Sequence, residues 1–239
     1  MSARIVGFGF AGLAIALLCI SLFQHALFSG GVISKPIWLL DADVETSIPT
    51  WLAVILLYSV SVALLTTALE TTEDPTTRNL IWPLLSVAFV ILSLDEYLAL
   101  HERFTPEAAA SLGLSASLAA YADWWPILVA LLGLLVLRLL WQLPSGTRYG
   151  FILAGLLYGM GVVGMDVLVP AILGPIDHNT LLGATLVTIE EGFELAGTIL
   201  MLFYVLRYRE VLGFIAALEA ERLARRNGAV GRTEVVDKA

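Results

Sequence analysis

Apolar residues fall into six runs, at about 5–28, 51–70, 80–101, 124–141, 149–169 and 181–206. Each approaches the roughly 20 residues that a helix needs to cross a hydrocarbon core. Between them stand turn formers: Gly30-Gly31 and Pro36, Pro75, Pro106, Pro144-Ser145-Gly146, Pro170, and Gly174-Pro175. The pattern predicts an all-α, polytopic integral membrane protein, with a six-transmembrane-helix bundle over residues 1–206. Val211, Phe214, Ile215 and Leu218 then recur at helical spacing among Glu219, Glu221, Arg222, Arg225 and Arg226. Residues 207–228 are therefore expected to form an amphipathic cytoplasmic helix, either lying near the headgroups or docking a membrane-protein partner. Residues 229–239 read as a disordered tail.

Met1–Arg4 ahead of an apolar stretch resembles a signal peptide. The run from Ile5 to about Phe28 is too long for one and lacks a small-x-small cleavage site, so a retained first span is expected. Trp51, Trp82, Trp124-Trp125 and Trp141 sit at the ends of runs, where an interfacial aromatic belt would place them.

Orientation follows from the basic residues, which concentrate in short cytoplasmic loops. With both termini inside, only Lys35 and Arg103 of the 13 Lys and Arg fall outside. This predicts a multi-pass protein of a bacterial-type inner membrane. Outer loops are then acidic or polar, with Asp41, Asp43, Glu45, Glu107, Asp123, Asp177 and His178, and segment 37–49 is expected along the outer surface.

Composition narrows the classes further. Hydrophobic residues make up 59% of the 239, charged ones 14%, and the net charge is -8. That excludes a nucleic-acid partner, which requires a basic footprint. The single cysteine, Cys19, permits neither an intrachain disulfide nor a multi-thiolate metal centre.

Acids interrupt two of the apolar runs. Asp95-Glu96, followed by His101-Glu102, closes the third, and Glu190, Glu191 and Glu194 lie inside the sixth. An ionisable side chain at mid-bilayer costs roughly 2.5–3.5 kcal/mol on insertion scales, so the glutamates ask the fold to offset on the order of 9 kcal/mol. Helical projection puts Glu190, Glu191 and Glu194 on one face, with Thr198 continuing it and Gly197 at its edge, and nearly eclipses Asp95 with Glu102. With span three running outward and span six inward, Asp95 and Glu190 are expected at a comparable depth of roughly 13 Å. On span five, Gly155, Gly159 and Asp166 share a face, and small residues spaced by four suggest a close helix approach there.

No Lys or Arg lies at this depth within the runs, so compensation must come from retained protons or from a bound cation. Oxygen donors with an imidazole suit Fe, Mn, Mg or Zn, in a mononuclear or dinuclear site. Asp95, Glu190 and Glu194 are the primary candidate ligands, with His101 and Glu102 beside them. Glu191 is the candidate base, and Asp166 a second catalytic or bridging group. The set resembles four-helix carboxylate-bridged dimetal sites, but those carry Glu-x-x-His, whereas His101 follows Glu96 by five positions. Interhelical hydrogen bonding alone is the plainer account of the acids. His25, His178 and Tyr97 are candidates of lower rank, read respectively as an interfacial residue, a solvated turn and lipid-facing bulk.

These features lead to a membrane-embedded, metal-dependent enzyme acting on a lipid-like or hydrophobic substrate in the outer half of the bilayer, with hydrolase and oxidoreductase chemistry both open. A proton- or cation-coupled transporter and an accessory subunit of a larger membrane complex are the alternatives.

Overall fold

The computed structural model describes residues 2–70, 80–99, 125–141, 143–174 and 177–236; side chains at 81, 125–130, 132, 139, 166, 167, 170, 171 and 225–236 lie outside the description. Helices account for the ordered elements, and no strand occurs among the described residues. Helix α1 is Ala3–Ser29, followed by a 3-10 turn at Trp38–Leu40, α2 at Ile48–Glu70, α3 at Ile81–Leu98 and α4 at Trp125–Leu140. Helix α5, Ser145–Gly159, continues into a π-helical segment, Met160–Leu168, and a short α6, Val169–Leu173. Helix α7 runs unbroken from Leu181 to Val236, through the predicted extension and into the segment whose composition reads as a disordered tail.

Three of these helices, Ala3–Ser29, Ile48–Glu70 and Ser145–Met165, are long and apolar enough to cross a membrane. That is fewer than the six runs suggested, and the count covers only the described residues, which leave out side chains of α3 and α4. Helix α4 has 16 residues, about 24 Å at 1.5 Å each. Helix α3 closes on Asp95 and Glu96, and the apolar half of α7 is interrupted by its glutamates.

Contacts fix the relative directions. Ser61 of α2 donates to the Ser86 carbonyl of α3 at 2.8 Å, and Ser93 donates to the Val54 carbonyl at 3.0 Å, so the partners move oppositely along an antiparallel pair. Helix α7 forms the centre. Antiparallel to it on one side, α1 places Gly7 against Phe203 and Leu18 against Gly192. On another side α5 places Gly150 against the Tyr204 ring, Ala154 and Tyr158 against Gly197, and Gly161 against Glu194. The core between these elements is aliphatic, with Leu56, Val60, Leu64, Phe151 and Val205 almost wholly enclosed.

Two expectations are corrected here. The close face of α5 and the turn after it is Gly150–Ala154–Tyr158–Gly161, whereas among the described residues nothing lies within 4 Å of a Cβ built at Gly155 or Gly159. The projection failed because an almost uniformly apolar helix offers little contrast between its faces. Trp82 is not on an aromatic belt; it is 3% exposed and stacks on Tyr208, with ring centroids 5.5 Å apart.

At the opposite end from the acids, polar side chains tie three helices together. Arg209 of α7 binds both carboxylate oxygens of Glu70 on α2. Glu210 accepts the Ala3 N–H of α1 at 2.7 Å and a guanidinium N–H of Arg207 at 3.0 Å.

A Cβ at Gly197 would lie 2.6 Å from the Tyr158 nitrogen and 2.8 Å from the Ala154 carbonyl oxygen, both backbone atoms that cannot step aside. Gly197→Ala should therefore push α5 off α7 and cost at least about 1–3 kcal/mol, read as a lowered unfolding temperature in detergent; Gly155→Ala, facing open space, should leave it unchanged. The two donors to Glu210 hold its carboxyl below the usual range. A lowered value in the folded state means that the tether's contribution is complete above the ordinary glutamate value of about 4.3 and fades as acidification passes through the lowered one. The unfolding temperature of Glu210→Gln should fall below wild type at neutral pH and converge with it in acid.

Candidate functional site

The acidic site is assembled from four parts of the chain. Helix α7 contributes Glu190, Glu191 and Glu194, each half-buried, on adjoining turns. Its lower edge is fixed by Thr198, whose hydroxyl donates to the Glu194 carbonyl at 2.9 Å. Helix α3 contributes Asp95, 3% exposed, and the half-buried Glu96 in its last turn. Helix α5 contributes Tyr158, and the segment before α2 contributes Glu45. Glu191 is close enough to Glu96, Glu194, Glu190 and Glu45 for their charges to interact. Tyr158 stands in the same relation to Glu194, Glu96, Asp95 and Glu191. Acids from α3 and α7 therefore share one polar region with a phenol at its edge.

Gly161 explains how the third wall closes. Its Cα abuts the Glu194 side chain, and a Cβ there would overlap Glu194 Cγ and lie 3.0 Å from the Glu190 carbonyl oxygen. This contact sits at the start of the π-helical segment, where i→i+5 bonding widens the turn, a distortion frequent at functional sites. Asp166 belongs to the same segment, but its side chain is outside the described residues.

Helix α3 ends earlier than expected. Leu98 is its last residue, and Ala99 turns left-handed at φ 48°, its N–H bonded to the Asp95 carbonyl. A non-glycine residue in that region is strained and persists because surrounding contacts hold it. The helical register that aligned Asp95 with Glu102 therefore stops at Ala99. His101 and Glu102 lie outside the described residues. Among the described residues no three His, Cys, Asp or Glu side chains form a group able to hold a metal ion. Tyr97 is 64% exposed on the outer face of α3, in keeping with a bulk role.

Below the acids lies a cavity of about 340 Å³ between α3, α4, α5 and α7. Its wall is apolar, with Phe89, Leu92, Phe151 and Met201, and its polar groups are Tyr158 and Thr198. Gly133, Gly155 and Gly159 also line it, and a Cβ at any of them would meet nothing within 4 Å among the described residues. These glycines leave space open instead of letting helices touch.

One family matches residues 10–208, most of the chain. The protein belongs to DUF8692, a domain of unknown function. The DUF8692 match takes in every candidate residue above and ends at Tyr208, before the far part of α7. No curated protein and no solved structure matches the chain.

The segment before α2 is tied to the bundle more firmly than its polar composition predicts. It does not merely lie along the surface: α1 binds it through a polar face formed by Ser21, Gln24 and His25. Gln24 accepts the Ile37 N–H at 2.8 Å, Ser21 accepts the Ala42 N–H at 2.9 Å, and His25 Nε2 meets Asp41 Oδ1 at 3.0 Å. His25 and Asp41 are both buried, so the histidine is a structural anchor and not an interfacial residue. His178, at the entry to α7, meets Asp43 at 2.9 Å and adds an exposed tie. The segment thus forms a strap that brings Glu45 within range of charge interaction with Glu191. The available signal was the spacing of Ser21, Gln24 and His25 on one face of an otherwise apolar helix.

Replacing His25 with Ala removes the imidazole from buried Asp41. The expected cost is about 1–3 kcal/mol, with faster proteolysis between residues 37 and 47; unchanged proteolysis would mean that the strap is held by its backbone bonds alone.

Proposed function

We propose that this DUF8692 protein is a membrane-embedded enzyme that acts on the polar end of a lipid-like or hydrophobic molecule held in the apolar cavity. In this reading α3, α4 and the first half of α7 join the three long apolar helices in the bilayer, giving six spans with both termini cytoplasmic. The observation that carries it is the junction of two unlike environments. A hydrocarbon-lined chamber, within the size range of small-molecule sites, ends at Tyr158 and Thr198, next to carboxylates from two helices.

A hydrophobic substrate lying among Phe89, Leu92, Phe151 and Met201 would present its head to Tyr158 and the acids. Glu191 is the proposed base, and Tyr158 a hydrogen-bond donor to the head. Proton transfer by a positioned side chain contributes about 10²–10⁴ in rate. The chamber wall favours hydrocarbon over ions, which supports this reading above a cation-coupled carrier.

Metal dependence is a separable part of the proposal. Asp95, Glu190 and Glu194 supply oxygen donors suited to Fe, Mn or Zn. A metal would enlist His101 or Glu102, or draw the carboxylates together; acid–base chemistry requires neither.

The test begins with full-length protein purified from membranes in mild detergent. Its bound hydrophobic molecules are extracted and identified, and metal is quantified in the same sample. A defined molecule should co-purify with wild type and with Glu191→Gln, and be lost from Gly159→Leu, which fills the chamber. Turnover of that molecule should fall about 100-fold or more in Glu191→Gln. Equal recovery from Gly159→Leu would overturn the chamber as the substrate site. Stoichiometric metal that disappears in both Asp95→Asn and Glu190→Gln would establish the metal-dependent form, whereas metal content indifferent to both would remove it.

A further inference from the structure

We infer that a second groove, between α1 and α2 with α7 as its floor, binds one acyl chain of an anionic membrane lipid whose headgroup is held by Arg209. This rests on the membrane placement proposed above, and not on the enzymatic reading. The two helices that flank the groove, α1 and α2, are both among those long and apolar enough to cross a membrane.

The groove holds about 360 Å³, with Phe10, Val62, Ala63, Leu202 and Leu206 along it and Arg209 at one end. It arises because α1 and α2 each pack on α7 more than on each other. The hydroxyls of Ser59 and Thr66 that line it are satisfied within α2. Ser59 donates to the Ile55 carbonyl at 2.6 Å, and Thr66 to the Val62 and Ala63 carbonyls, each at 2.9 Å. The surface left for an occupant is thus chiefly hydrocarbon, and in a bilayer the hydrocarbon at hand is a lipid tail.

Charge selects the headgroup. Arg209 spends an Nε and an Nη2 donor on Glu70. A guanidinium has five N–H donors, so others remain for an anionic oxygen. Arg207, two residues earlier, donates to Glu210, and Arg4 follows Ala3, which is bonded to the same Glu210. Among the described residues, the three guanidiniums of Arg4, Arg207 and Arg209 stand near two carboxylates, Glu70 and Glu210, at this end. In the proposed orientation this end faces the cytoplasmic leaflet, where basic pockets between helices attract anionic lipids.

Full-length protein in neutral detergent is titrated with phosphatidylglycerol or phosphatidylcholine of identical chains, and retained lipid is counted by native mass spectrometry. Phosphatidylglycerol should be held about fivefold more tightly. Arg209→Gln should abolish that preference, Glu70→Gln should increase it by releasing the guanidinium, and Ser59→Phe should weaken retention of both lipids by filling the groove. Equal retention by wild type, a preference that survives Arg209→Gln, or a loss in Glu70→Gln in place of a gain would overturn the assignment. Flotation with lipid vesicles separates the two levels of the argument: a chain that does not float refutes the membrane placement, and one that floats without lipid preference refutes only the groove.

Discussion

The fold depends on the absence of a side chain at Gly197. There the backbone of α5 approaches α7 so closely that the Tyr158 nitrogen and Ala154 carbonyl occupy the space a Cβ would need. Gly150 and Gly161 extend the contact one way and the other, against Tyr204 and Glu194. Where lipid tails would be as good a neighbour for apolar atoms as protein is, close backbone packing is what makes helices associate. This line of contact also fixes the site, because it sets Tyr158 beside Glu194 at a height from which α3 supplies Asp95 and Glu96.

Glycine serves an opposite purpose on the neighbouring face of α5. Gly155 and Gly159, with Gly133 of α4, border open space and keep the chamber from being filled. One helix thus carries small residues that close an interface and small residues that maintain a void. The π-helical segment follows directly, and its wider turn lets the chain pass Glu190 and Glu194 before continuing into α6.

The two ends of the bundle are tied differently. At one end a strap is bound to α1 by a buried imidazole–carboxylate pair and backbone bonds, which makes it part of the core. At the other, Arg209–Glu70 and Glu210–Arg207 are largely exposed. Exposed ion pairs contribute about 0–1 kcal/mol. Their consequence is register: α1, α2 and α7 are pinned at one level, and a groove is left between the first two.

The sequence by itself determined where helices lie and which acids they carry, because long apolar runs and interrupting charges are local properties. It also singled out Glu190, Glu191, Glu194 and Asp95 before any contact was known. Only the tertiary structure decided which face of each helix turns inward. A helix apolar on every side has no polar face to point outward, so Gly155 and Gly159 could not be told from Gly150 and Gly161 by periodicity. Nor could the pattern reveal that Ala99 ends α3, that His25 anchors a strap, or that Tyr158 joins the acids. Each depends on atoms from segments distant in sequence, and their meeting is decided by packing.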